Sequence, residues 1–410
     1  MKAEEFLLAS PRGTLRAAGM AVAVPPRAEH GGAEKVAVGL EDLPERVDGV
    51  LSAALASGRS APIVVGAIPF AGDTHPYLFV PQYVRYGPAP EPGRNGSGAD
   101  FGSTPHPTCG TVTGALSGAE PAPPDWRAVP SPHGYLEAVR QAVGRMRAGE
   151  LDKVVLARSL SVPFTGEVAP LLQALSERNP HAYTFAAPLP GGRILLGASP
   201  ELLVSRSGRR VVANPLAGSL PRDHDPATLM TSAKDRYEHS VVVDAVARRL
   251  RPYCARLSVP PHPTPVAAGS VWHLSTQITG ELTDPATTSL HLAAALHPTP
   301  AVCGTPTSAA RRLIADLEPF DRGFYTGLVG WQDAVGDGAW VIALRCAVAG
   351  DQALTFYAGA GIVADSDPHA ELAETCAKFR TALSALSPAA ANLAAQPSTS
   401  RPSARHTATR

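Results

Sequence analysis

Between Val154 and Pro215 the chain carries five short apolar runs, VVLARSLSV, YTFAAPL, RILLGAS, LLVSRS and RRVVANP, with turn signals between them. Runs of this length bounded by Gly, Pro, Asn and Ser read as strands. The period then changes: DRYEHSVVVDAVARRL (235–250), PTSAARRLIADLEP and PHAELAETCAKFRTALSAL place apolar residues at helical spacing. GAWVIALRCAVA and ALTFYAGA read as late strands. Consecutive strands joined by short turns, with helices to pack on them, predict an α+β fold of antiparallel sheets flanked by helices rather than a doubly wound parallel sheet.

Charge narrows the function classes. Lys+Arg 36 equals Asp+Glu 36 across 410 residues, so no basic field points to nucleic acid or a membrane surface. MKAEEFLLASPRG has acids where a secretory signal has an apolar core, and no apolar run nears the roughly 18 residues of a span. A cytoplasmic protein is expected. Five scattered cysteines, with no CxxC pair, read as reduced thiols. Only five of the basic residues are lysines. Where plain positive charge would serve, this chain uses Arg, so a Lys marks a position needing a compact ammonium that can lose its proton.

Three stretches are dense in breakers: about 87–125, 258–270 and 387–410. The first reads as a long Pro/Gly-rich loop, the second as a surface connection, the third as a disordered tail.

Two acid pairs stand out. Asp367-Pro368 is a helix start, and from it Glu371, Glu374 and Lys378 fall at i, i+3 and i+7, within one arc at about 100° per residue. Asp235 and Glu238 repeat the i, i+3 spacing on the other helix. The bland alternative is a solvated face for the first pair and, for the second, the preference of the helix dipole for acids near an N-terminus. Facing each other, the pairs would repel unless a hard cation such as Mg²⁺ sat between them.

Lys153, in LDKVVLARSL, is either a solvent lysine at a strand edge or, with its pKa lowered, a general base. Glu201, in GASPELLVS, is a turn residue or, if buried, an acid that keeps its proton. His273 sits in a strand, and Arg345 lies in a run too apolar for an idle charge, where it pairs with a carboxylate of the chain or of a ligand. AGAGIVA satisfies G-x-G-x-x-A after a strand, but the helix cannot begin before Pro368. A glycine turn near a carboxylate fits better than a dinucleotide site. No GxSxG, HExxH or Walker loop occurs.

KVVLARSL, GASPELLV, NPLAGSLPR, KDRYEHSVVVD, WHLSTQITGEL, LHPTPAVCGTP, LEPFDRGFYTGLVGW and YAGAGIVADSDPHAELAETCAKF occur in this order over roughly residues 130–385. They resemble the chorismate-utilising enzymes, and within that family most closely the isochorismate synthases. The resemblance implies one large chorismate-binding domain. Residues 1–125 would be its N-terminal part, 126–386 the catalytic region and 387–410 a tail.

The resemblance further implies Mg²⁺-dependent isomerisation of chorismate to isochorismate, with Lys153 as the base that activates water and Glu201 as the acid that protonates the departing hydroxyl. Glu238 and Glu374 would ligate the metal directly, Asp235 and Glu371 through water. Gly218, Ser219, His273, Ala301, Arg345, Gly359 and Lys378 would hold the substrate. Amine-adding relatives carry Gln where Lys153 stands or a nucleophilic lysine where this chain has Ala217, so no glutaminase subunit is expected. Salicylate synthase, which goes on to eliminate pyruvate, is the alternative. A siderophore or menaquinone pathway and a monomer complete the expectations.

Overall fold

The computed structural model describes residues 5–26, 40–70, 74–90, 125–269, 271–350 and 352–384. Residues 91–124 of the Pro/Gly-rich stretch, Cys109 and the tail 387–410 lie outside them.

The five apolar runs form the strands Lys153–Pro163, Tyr183–Pro188, Ile194–Ser199, Leu202–Ser207 and Arg210–Asn214. The three amphipathic stretches form the helices Ala233–Leu250, Thr307–Leu317 and Pro368–Ser384. Seventeen strands join one large curled sheet and three a smaller one, with antiparallel pairing throughout the described residues. The class is α+β, antiparallel sheet with helices on it. The N-terminal strands belong to the same sheet: Glu5–Ser10 pairs with Tyr183–Pro188, and Ile63–Ile68 with Leu328–Asp333.

Strand alternation explains how this sheet is buried on both faces. Ile63, Val65 and Ala67 enter an inner cluster with Phe6, Phe79, Phe185 and Val341. Their neighbours Val64 and Ile68 enter a second cluster with Val47, Val243 and Leu292, which lie on helices. Successive side chains of a strand point to opposite faces. Two sheet layers therefore meet over the inner cluster, with helices covering the outside.

The passage between layers creates the site. Ile194–Ser199 pairs with Cys346–Gly350, while the next strand, Leu202–Ser207, pairs with Gly338–Ile342. Both chains break at the same level, at Pro200–Glu201 on one and Ala343–Arg345 on the other. The break is stitched by Ile342 N–H to Glu201 O (3.1 Å) and Ala198 N–H to Arg345 O (3.2 Å). GAWVIALRCAVA is accordingly two strands, not the single strand its apolar run suggests, because Arg345 sits at φ 48°, outside strand geometry.

The stretch 258–270 also differs from expectation. It supplies a strand, Thr264–Ala268, of the small sheet, beside Val271–Ser275 and Leu216–Pro221. Pro265 is tolerated there because this strand lies at the sheet's edge.

Candidate active site

A cleft of about 230 Å³ opens at the double strand break. Glu201 and Arg345 come to it from the two breaks, and Gly218, Ser219 and His273 from the small sheet. Ala301 comes from the loop before Gly304, Gly359 from the strand Ala353–Ile362, and Lys378, Glu374, Asp235 and Glu238 from the two acid-bearing helices. Lys153 and Glu371 do not line it. They reach it through partners that do.

Lys153 is 2 % exposed, which rules out a solvent lysine. Its Nζ donates to Glu238 Oε1 at 2.8 Å. The space for this pair exists because residue 361 is glycine: a Cβ there would stand 2.6 Å from Glu238 Oε1 and 3.2 Å from Lys153 Cε. Gly359 and Gly361 thus lie inside a strand paired with Lys153–Pro163, not in the turn expected from AGAGIVA. Gly218 is favoured on other grounds, having φ +71°, and a Cβ there would stand 3.1 Å from Asp235 Cβ.

Glu201 is 3 % exposed. Burial pushes its carboxyl up to about 8, against the opposing pull of the Leu216 N–H and the Lys153 charge. It therefore holds its proton at neutral pH, the property a general acid needs.

The two acid helices face each other, which spacing alone could not show. Lys234 Nζ from one meets Glu371 Oε1 from the other at 3.4 Å, while within the second helix Lys378 Nζ meets Glu374 Oε1 at 2.6 Å. Glu371 is 2 % exposed, so its helix face is not solvated. Burial, then the Glu374 charge, lift Glu371 to about 7. Burial and the charges of Glu238 and Glu374 raise Asp235, although Ser232 bonds to it. At Glu238 burial works the same way, but Lys153, with Lys378 and Lys234, holds the carboxyl below its ordinary range.

Hard oxygen donors under mutual repulsion fit a divalent cation of the Mg²⁺ kind. In the present arrangement three of the four acids bond a lysine, and no three acidic or other ligating side chains converge among the described residues.

His273 is neutral, brought down to about 3 by burial and by Arg345 and Lys378. Its Nδ1 lies 2.7 Å from Gly218 O, which can only accept, so Nδ1 carries the hydrogen. Nε2 then accepts from Arg345 Nη2 at 2.9 Å. With Arg345 Nη1 donating to Ala268 O (3.2 Å), one guanidinium edge is fixed by the small sheet.

Four cleft residues with polar side chains had no assigned place in the sequence reading: Lys234, Thr326, and the tyrosines Tyr325 and Tyr357, stacked at 5.0 Å. GFYTG and ALTFY contain the last three, but nothing local marks them as meeting.

Comparison with known proteins agrees with this architecture. The family profile described as chorismate binding enzyme matches residues 118–387. The isochorismate synthase DhbC of Bacillus subtilis is 46 % identical over 396 residues, 93 % of each chain. The isochorismate synthase EntC of Escherichia coli K12 is 35 % identical over 348 residues, covering 83 % of this chain and 85 % of that one. The crystal structure of DhbC from Bacillus anthracis superposes with a TM-score of 0.80 at 42 % identity, over 94 % of this chain and 97 % of that one.

Proposed function

The chain belongs to the chorismate-binding enzyme family, and from that membership we propose that it isomerises chorismate to isochorismate with Mg²⁺. The observation that carries the reading is the buried acid Glu201, protonated up to about pH 8, in the wall of a cleft that the buried Lys153 amine reaches through its bond to Glu238.

In the proposed reaction Lys153 takes a proton from water as the oxygen attacks one ring carbon. The double bond shifts, and Glu201 gives its proton to the hydroxyl leaving another carbon as water. Lys153 would act as base in molecules where Glu238 has released it, since its Nζ is otherwise engaged by that carboxylate at 2.8 Å. Arg345, aimed by His273, and Lys378 offer positive charge to the substrate's carboxylates. Ser219, Gly218, Ala301 and Gly359 shape the wall for the ring. Glu238 and Glu374, with Asp235 and Glu371 through water, would hold Mg²⁺, whose contribution is to neutralise and orient a carboxylate.

Ala217 supports water as the nucleophile. It lines the cleft where amine-adding relatives carry a lysine, and it offers no amine. A monomer in the cytoplasm, feeding siderophore or menaquinone synthesis, completes the proposal. Among the described residues no helix is long and apolar enough to cross a membrane.

The test is chromatography of chorismate after incubation with the protein and Mg²⁺, coupled to a pyruvate assay. Isochorismate without pyruvate is expected. Pyruvate released in step with salicylate would replace this reading by salicylate synthase, and unchanged chorismate would end it.

A further inference from the structure

Val155, Val302 and Thr326 line the cleft, and all three are bonded to one side chain that does not. Arg322 is 3 % exposed, and each of its five N–H donors is used. Nη2 donates to Val155 O (2.7 Å) and Glu318 Oε1 (2.5 Å), Nη1 to Val302 O (2.8 Å) and Thr326 Oγ1 (3.3 Å), and Nε to Glu318 Oε2 (2.8 Å). Glu318 Oε1 also accepts Ala157 N–H at 2.8 Å, tying the pair to the Lys153 strand a second time. The ring of Phe70 covers the guanidinium at 4.6 Å.

We propose that Arg322, held by Glu318, is a positioning residue that sets the Lys153 strand against the Ala301–Val302 loop and Thr326. The proposal rests on the functional reading above. Val155 is two residues beyond Lys153 in its strand, and Val302 follows Ala301, so the guanidinium braces the base's strand against the ring wall. The backbone joins the strand to the end of that loop, by Val155 N–H to Cys303 O (2.8 Å) and the pairing of Gly304 with Val154, and Arg322 adds the brace at Val302 and Thr326. Only the planar five-donor fork can reach two carbonyls, a hydroxyl and a bidentate carboxylate together. A lysine offers three donors from one point. Misplacing reacting groups by about 1 Å costs on the order of 100-fold in rate.

The experiment measures kcat and KM for chorismate in Arg322→Lys and Glu318→Gln, with wild type in parallel. Rates are normalised to the folded fraction read by circular dichroism. The expected result is a drop of about 100-fold in kcat/KM for folded Arg322→Lys, with KM clearly raised, and a smaller drop of the same kind for Glu318→Gln. A pair that only stabilises the fold would leave folded molecules with wild-type KM and kcat, and that result overturns the proposal. If Arg322→Lys fails to fold, Glu318→Gln, which keeps the side-chain volume, decides alone. A wild type that binds chorismate without turning it over would refute the functional reading instead, and the ratio of chorismate Kd values between variants and wild type then decides the positioning role.

Discussion

Lys153 Nζ and Glu238 Oε1 meet at 2.8 Å, from side chains 3 % and 14 % exposed. Breaking such a pair from one side leaves a desolvated charge, which costs about 3 kcal/mol, whereas removing both partners is far cheaper. Lys153→Met is therefore expected to abolish turnover and lower the stability by about 3 kcal/mol. Adding Glu238→Gln should return most of the stability and none of the activity. Urea unfolding of the two variants checks this, and equal stability of single and double variants would contradict it.

Gly361→Ala probes the same pair without replacing either partner. The added Cβ meets the far end of the Glu238 side chain, not backbone, so the fold should accept it while the Lys153–Glu238 contact shifts. A variant with near wild-type thermal unfolding and at least about 10-fold lower kcat is expected. Wild-type turnover would mean that the contact has no part in the reaction.

Glu201 gives a pH dependence of defined sign. Its folded pKa of about 8 lies above the ordinary 4.5, so the acid is protonated, and the enzyme active, below pH 8, with activity falling as pH rises through it. Stability runs the same way. Between pH 4.5 and 8 the unfolded chain ionises this group while the folded chain does not, so stability falls with rising pH, by on the order of 4 kcal/mol over the window. Glu201→Gln should remove that slope, making it relatively more stable than wild type at pH 8, and should cost about 10²- to 10⁴-fold in rate. Thermal unfolding and rate profiles across pH 5–9 read both effects.

Chelation of divalent cations should abolish turnover, and Mg²⁺ should restore it. Glu374→Gln should raise the Mg²⁺ concentration for half-maximal rate by about 10-fold or more. Mg²⁺ titration calorimetry, which needs no turnover, should show the same weakening. Undiminished Mg²⁺ affinity in this variant would remove Glu374 from the metal site.

Much of this was legible in sequence because periodicity is local. The strand runs and the i, i+3 acids follow from spacing within one element, and the ordered motifs assigned the remaining positions. What escaped depends on contacts between distant segments. Arg345 was visible as a charge in an apolar run, but not as the break between strands 338–342 and 346–350. Lys234 stands in KDRYEHSVVVD with nothing local to give it a role, and its bond to Glu371 spans 137 positions. Tyr325, in the turn before Leu328–Asp333, stacks on Tyr357 of the strand Ala353–Ile362. LEPFDRG shows Glu318 and Arg322 four positions apart, yet nothing local says that the arginine's bonds end on Val155 and Val302.

The central claim is that water, activated at Lys153, replaces a hydroxyl of chorismate. Mass spectrometry of product formed with Mg²⁺ in ¹⁸O-labelled water tests it most directly. Isochorismate carrying one ¹⁸O in its ring hydroxyl is expected, formed by wild type and not by Lys153→Ala. Unlabelled isochorismate, or labelled product from the Lys153→Ala variant, would contradict it.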